Sequence, residues 1–242
     1  MRLICLPYAG GSAMVYARWR RGLPSWIEVQ PLELPGRGAR MDEPLQADAT
    51  ALVDQLASEL VGTPLAEPYV LFGHSLGGLL AFELAHRLLA LGAPRPHMLL
   101  VSGTEAPAVR DGSRWREPLG DDALREELLR LNGTPPEALQ SMEIMRGTLP
   151  ILRADFLMCG NYVYRRRQPL PCPLHVFGGE LDETRAEALE AWRAETSGTF
   201  GRDMLPGDHF FIHSQQADLL KLVAALLVRR AWPEPAVARA GP

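Results

Sequence analysis

Ser75, Asp182 and His209 are the residues in this chain whose types and settings suit one piece of chemistry. A serine hydroxyl is a weak nucleophile near neutral pH. It becomes a useful one when an imidazole takes its proton and a carboxylate holds that imidazole in the right tautomer. Ser75 sits in Gly73-His74-Ser75-Leu76-Gly77, Asp182 follows Gly178-Gly179-Glu180-Leu181, and His209 lies in Gly207-Asp208-His209. A serine with glycine two residues away on each side fits a sharp strand-to-helix turn, where the nucleophile's own backbone crowds its neighbours. The turn lifts the hydroxyl above the sheet edge and points it at the free N–H groups of a helix start, which favour developing negative charge. The chemistry is acyl transfer through an acyl-serine, and the chain order Ser, Asp, His is one that strand-end loops deliver.

Other residues compete for each role. Of the remaining histidines, His74 sits inside the turn with its side chain directed away from Ser75, and His86 is mid-helix. His97 and His175 read as strand or sheet-end residues, and His213 is the fallback base. Among carboxylates, Asp208 adjoins the base, but neighbouring side chains in an extended turn point apart. Asp203 reads as strand surface, and Asp155 falls in a helical insertion. A tetrahedral intermediate also needs two backbone N–H donors. The expected pair is Leu76, the residue after the nucleophile, and Ala9 in the glycine-rich turn Tyr8-Ala9-Gly10-Gly11. Phe156 and Leu152, on an apolar helical face, and Phe210, beside the base, are the candidate acyl contacts.

The elements that must position these groups follow from the pattern of apolar runs. Arg2–Leu6, Ile27–Leu32, Tyr69–His74, Met98–Ser102, Leu174–Phe177 and Phe200–Leu205 read as strands. Helical spacing recurs over Tyr16–Arg21, Ala47–Leu60, the stretch after Ser75 to about Leu91, Thr184–Thr196 and Ser214–Arg230. The alternation predicts an α/β fold with a mostly parallel central sheet and helices on both faces. Residues 105–168 break the rhythm with helical signals over Asp121–Leu131, Pro136–Arg146 and Leu149–Tyr164, read as an insertion or lid over the strand ends. One domain is expected over 1–232, with a disordered Pro- and Ala-rich tail over 233–242.

Composition excludes several classes. The chain has 242 residues, a formal net charge of −4 and a pI near 5.9, with nothing that suggests nucleic acid. Lys221 is the only lysine. Cys5, Cys159 and Cys172 have no metal-site spacing, and an odd number argues against a disulfide framework. The apolar start at Met1–Pro7 is too short for a signal peptide, and no apolar run is long enough to span a bilayer. A cytoplasmic monomer is the expectation.

Several separated motifs then agree on a resemblance. Leu6-Pro7-Tyr8-Ala9-Gly10-Gly11-Ser12-Ala13, Leu34-Pro35-Gly36-Arg37-Gly38, Gly73-His74-Ser75-Leu76-Gly77, Leu149-Pro150-Ile151-Leu152-Arg153-Ala154-Asp155 and Asp208-His209-Phe210-Phe211 look like the type II thioesterases. These are stand-alone α/β-hydrolases that accompany polyketide synthases and non-ribosomal peptide synthetases. The resemblance implies an editing hydrolase that clears stalled or misprimed acyl groups from the phosphopantetheine arm of acyl or peptidyl carrier domains, without a metal or organic cofactor. By similarity Ser75, Asp182 and His209 are its triad, small acyl thioesters are also substrates, and the insertion is its lid. Two positions depart from the family pattern: Asp208 stands where glycine is usual and places a negative charge beside the base, and Leu76 stands where methionine is usual. Arg165-Arg166-Arg167 is a candidate docking patch for an acidic carrier domain. A general carboxylesterase or lipase, an acyltransferase and a non-catalytic binding scaffold are the competing readings.

Overall fold

A computed structural model describes residues 1–62, 65, 68–132 and 141–231. Six strands, β1 (Arg2–Leu6), β2 (Glu28–Pro31), β3 (Tyr69–His74), β4 (Met98–Ser102), β5 (Leu174–Gly179) and β6 (Phe200–Leu205), form one parallel sheet in the order β2-β1-β3-β4-β5-β6. The chain steps from β1 outward to β2, then crosses to β3 on the other side. The crevice at a reversal of this kind, outside the carboxyl ends of the strands, is where open α/β sheets place their sites. The turn after β1 and Ser75 after β3 both lie there.

β3, β4 and β5 are buried along their whole length, which is why they read as continuous apolar runs rather than alternating ones. The period of two still sorts their side chains. Ile4, Leu6, Tyr69 and Leu71 join a core with helices α1 (Ala49–Val61) and α2 (Leu76–Ala90). Leu3, Cys5, Val70 and Phe72 join the opposite core, with Tyr16, Trp19 and Leu219, Leu220, Val223 and Leu227 of the closing helix. Asp48 rather than Thr50 caps α1, its carboxylate accepting from the Ala51 N–H.

Five expected helices differ. Tyr16–Arg21 is not a helix: two 3₁₀ turns, Ala13–Tyr16 and Trp19–Arg21, carry the chain instead, because both bulky aromatics are drawn into the core within so short a link. In the insertion, α3 (Asp121–Leu131) falls where expected. The expected helices Pro136–Arg146 and Leu149–Tyr164 run together as α4 (Met142–Asn161), which passes through Pro150. The first part of Pro136–Arg146 lies outside the described residues. Thr184–Thr196 splits into α5 (Ala186–Glu190) and a 3₁₀ segment, Ala191–Glu195. The closing segment begins earlier than expected, as α6 (Phe211–Ser214), followed by α7 (Gln216–Ala231). The expected tail at 233–242 lies outside the described residues, as does most of the expected linker Pro64–Pro68. Among the described residues, no helix is long and apolar enough to cross a membrane, and no cluster of three or more His, Cys, Asp or Glu could hold a metal.

Candidate active site

Ser75 joins β3 to α2 with φ 52° and ψ −119°, a backbone that L-residues avoid. Its N–H donates to the Ser102 carbonyl at 2.7 Å, which ties the turn to the end of β4. The close approach that makes this turn possible needs glycine on both sides. A Cβ at position 73 would stand 1.9 Å from the Gly77 carbonyl oxygen, and one at 77 would stand 2.1 Å from the Leu6 carbonyl oxygen. Leu76 is the first residue of α2, so its N–H has no carbonyl one turn back to bond.

Asp182 and His209 meet across the next two strand ends. His209 Nδ1 and Asp182 Oδ2 lie 3.0 Å apart, and the Thr184 N–H donates to Asp182 Oδ1 at 3.2 Å. Burial pushes the Asp182 carboxyl up, but the hydrogen bond to His209 and its charge, with the Thr184 N–H, hold it below the usual carboxylate value. The two loops are laced by the Leu181 N–H donating to the Gly207 carbonyl at 2.9 Å. Gly179 allows this, since a Cβ there would meet the Asp208 and Gly207 carbonyl oxygens at 2.6 and 2.7 Å. Ser75, Asp182 and His209 line one cavity of about 200 Å³, with Thr104, Arg110 and Trp115 among its other walls.

The competing residues have other partners. His74 is fully buried, with Nδ1 2.9 Å from Ser102 Oγ and its ring centroid 5.2 Å from that of His209. Burial, then the neighbouring His209 and His213, keep it well below the usual histidine value, so it packs behind His209 as a neutral ring. His213 Nε2 lies 2.9 Å from the Tyr8 hydroxyl, and His175 pairs with Asp203 at 2.9 Å. Asp208 accepts from the Asn132 side chain and the Phe210 N–H, both at 2.9 Å. Asn132 ends α3, so this departure from glycine ties the insertion to the loop of His209. Sequence reasoning did not find His74 behind His209, because burial at the end of a strand is all its position signals.

The candidate acyl contacts do not line this cavity. Leu152 and Phe156 belong to the insertion's own apolar cluster, with Leu124, Leu128, Met145 and Leu149, and Phe156 stacks on Trp115 at 5.5 Å. Phe210 packs edge-on against Tyr8 at 5.0 Å. The Arg165–Arg167 run does not border it either. Arg167 pairs with Glu83 at 2.5 Å, eight residues along α2 from Ser75 or about 12 Å at a helix's ~1.5 Å rise per residue. It lines a separate cavity of about 780 Å³ with His86 and Arg87. The arginines on the cavity of Ser75 are Arg110, Arg114 and Arg130, all from the insertion.

Residues 1–227 match the thioesterase domain family. The chain belongs to that family. The fold of this thioesterase is shared with RedJ, a thioesterase from the prodiginine biosynthetic pathway in Streptomyces coelicolor, at a TM-score of 0.88 and 38% identity over 93% of this chain and 89% of that one. The Gramicidin S biosynthesis protein GrsT of Aneurinibacillus migulanus is 38% identical over 94% of this chain and 89% of the relative. The linear gramicidin dehydrogenase LgrE of Brevibacillus parabrevis is 40% identical over 93% and 87%. That last name denotes another chemistry, but the turn after β1 here reads Tyr8-Ala9-Gly10-Gly11-Ser12-Ala13 and lacks the Gly-x-Gly-x-x-Gly of dinucleotide sites.

Proposed function

We propose that this thioesterase is of the stand-alone, type II kind, and hydrolyses acyl groups from the phosphopantetheine arm of acyl or peptidyl carrier domains. The observation that carries the reading is Ser75, held at positive φ on a strand-to-helix turn, opening on the same cavity as the hydrogen-bonded pair His209–Asp182. The relatives' names support the pathway context, since GrsT and RedJ are named for gramicidin S and prodiginine biosynthesis.

In this reading Ser75 Oγ attacks the thioester carbonyl while His209 Nε2 takes its proton, and Asp182 holds the other ring nitrogen. The oxyanion meets the N–H groups of Leu76 and Ala9. The Ala9 N–H has no partner among the hydrogen bonds of the described residues, which leaves it open for this role. The C–S bond breaks and the carrier leaves as its thiolate, which takes from His209 the proton that came from Ser75 and leaves the imidazole neutral. His209 Nε2 then takes a proton from the water that attacks the acyl-serine carbonyl, and passes it to Ser75 Oγ as the acyl–Oγ bond breaks and a carboxylic acid is released. The steps balance without a cofactor, and every group in them comes from one chain. Phe156 and Leu152 meet an acyl chain only once the apolar cluster of the insertion opens. Ser75→Ala is expected to abolish hydrolysis of a small acyl thioester while leaving the protein folded; retained turnover contradicts the reading.

A further inference from the structure

Asp155 has no place in that mechanism, yet it is a fully buried carboxylate held by the turn after β1. It lies on α4 with no exposed surface and accepts three hydrogen bonds, from the Gly10 N–H at 2.7 Å, Arg37 Nη1 at 2.6 Å and Arg37 Nη2 at 2.7 Å. Arg37, 4% exposed, also donates through Nη1 to the Gly11 carbonyl at 3.2 Å. The bidentate pair therefore holds an N–H and a carbonyl of the turn Tyr8–Gly11 at once. Gly10 itself has φ +79°, and the space a Cβ would need there holds Leu152 Cδ2 at 2.6 Å. Leu152 and Asp155 are three residues apart on α4, so one face of the inserted helix presses on Gly10 with a methyl group and binds its N–H with a carboxylate.

Replacing a buried ion pair by apolar residues of similar volume is often neutral or stabilising, so stability alone is a weak account of the pair. The Gly10 N–H, occupied by Asp155, is not free for an oxyanion, and fixing that peptide sets the direction of the one before it, which carries the Ala9 N–H. We infer that Asp155 and Arg37 are positioning residues that set the Ala9 donor, and that they do so only while α4 is seated on the turn. Seating of the insertion and completion of the oxyanion site are thereby one event. The inference rests on the Ala9 donor of the proposed function.

The test compares wild type, Asp155→Asn and the double variant Arg37→Met/Asp155→Leu on a small N-acetylcysteamine acyl thioester, with thermal unfolding alongside. The double variant removes both charges together, so no lone buried ion is left to unfold it. Loss of one oxyanion donor lowers turnover by about 10²–10³-fold. The expected result for the folded double variant is a kcat about 10²-fold down with KM little changed. Its affinity for a trifluoromethyl ketone, whose serine adduct carries the same oxyanion, is expected to fall by a similar factor. Asp155→Asn keeps an acceptor for the Gly10 N–H and is expected to recover about a tenth or more of wild-type kcat. A double variant with normal kcat, or one impaired only in KM, overturns the inference. Ser75→Ala run in parallel separates the failures: an inactive Ser75→Ala beside an unimpaired double variant overturns only the positioning role, while an active Ser75→Ala overturns the serine mechanism itself.

Discussion

Ser75 is held in its strained backbone by groups that leave no room for adjustment. Gly77 is the sharper case, because the atom its Cβ would strike, the Leu6 carbonyl oxygen at 2.1 Å, belongs to the neighbouring strand and cannot turn aside. Gly77→Ala is therefore expected to destabilise the fold by about 3 kcal/mol or more, at the upper end of what overpacking costs. Chemical unfolding in urea would measure it, and a loss under 1 kcal/mol would count against the close approach described. This much was legible in the sequence, since Gly-x-Ser-x-Gly between an apolar run and a helical pattern states its own steric requirement. That Asp182 and His209 would meet was legible for a similar reason, since each stands on a glycine-bearing loop after a strand. Asp155 was read only as a residue of the insertion. Its partners, Gly10 and Arg37, lie 145 and 118 residues away, and no local pattern encodes such a meeting.

Among the elements, the sheet was readable because buried parallel strands are uninterrupted apolar runs, and α3 because its apolar spacing agrees with acids in its first turn, Asp121 and Asp122, and a base in its last, Arg130. The helices beside β1 and β5 were not, because tertiary burial of Tyr16, Trp19 and Trp192 overrides weak helical propensity in short segments. α4 was read as two helices because proline usually ends one, and here Pro150 sits exposed in the interior of a single helix. Pro150→Ala is expected to raise stability by up to about 3 kcal/mol, the difference in helix propensity, and a lowered melting temperature would contradict that. The tie between α4 and the turn after β1 makes a second prediction. Arg37→Met alone leaves Asp155 buried without its counter-charge and is expected to cost about 3–5 kcal/mol. Adding Asp155→Leu is expected to return most of that loss, and equal losses in the single and double variants would contradict the coupling.

For the molecule as a whole, the buried histidines weaken the fold as the pH is lowered. His74 is kept neutral by burial, well below its ordinary value of 6.5, while the unfolded chain would take up the proton near that value. A depressed histidine pKa means that the unfolded state binds more protons once the pH drops below about 6.5, so stability falls from there as the pH is lowered, by up to about 1.4 kcal/mol per pH unit for one such group. His86, partly exposed and lowered to about 4, acts in the same direction more weakly. Asp182, held below its ordinary value, adds stability that is lost only at still lower pH, as the pH falls through its folded pKa. Urea unfolding at pH 7 and pH 5.5 is expected to give a smaller difference for His74→Asn than for wild type, and an unchanged difference would remove His74 as the cause.

Whether Ser75 accepts the acyl group of a carrier-bound thioester and passes it to water can be read by intact-protein mass spectrometry. An acyl-loaded carrier protein would be incubated with wild type and with Ser75→Ala. With wild type alone, the acyl mass is expected to be lost, leaving the free phosphopantetheine thiol form. An acyl carrier left intact by the folded wild-type enzyme across several acyl groups, or one cleared equally well by Ser75→Ala, would contradict it.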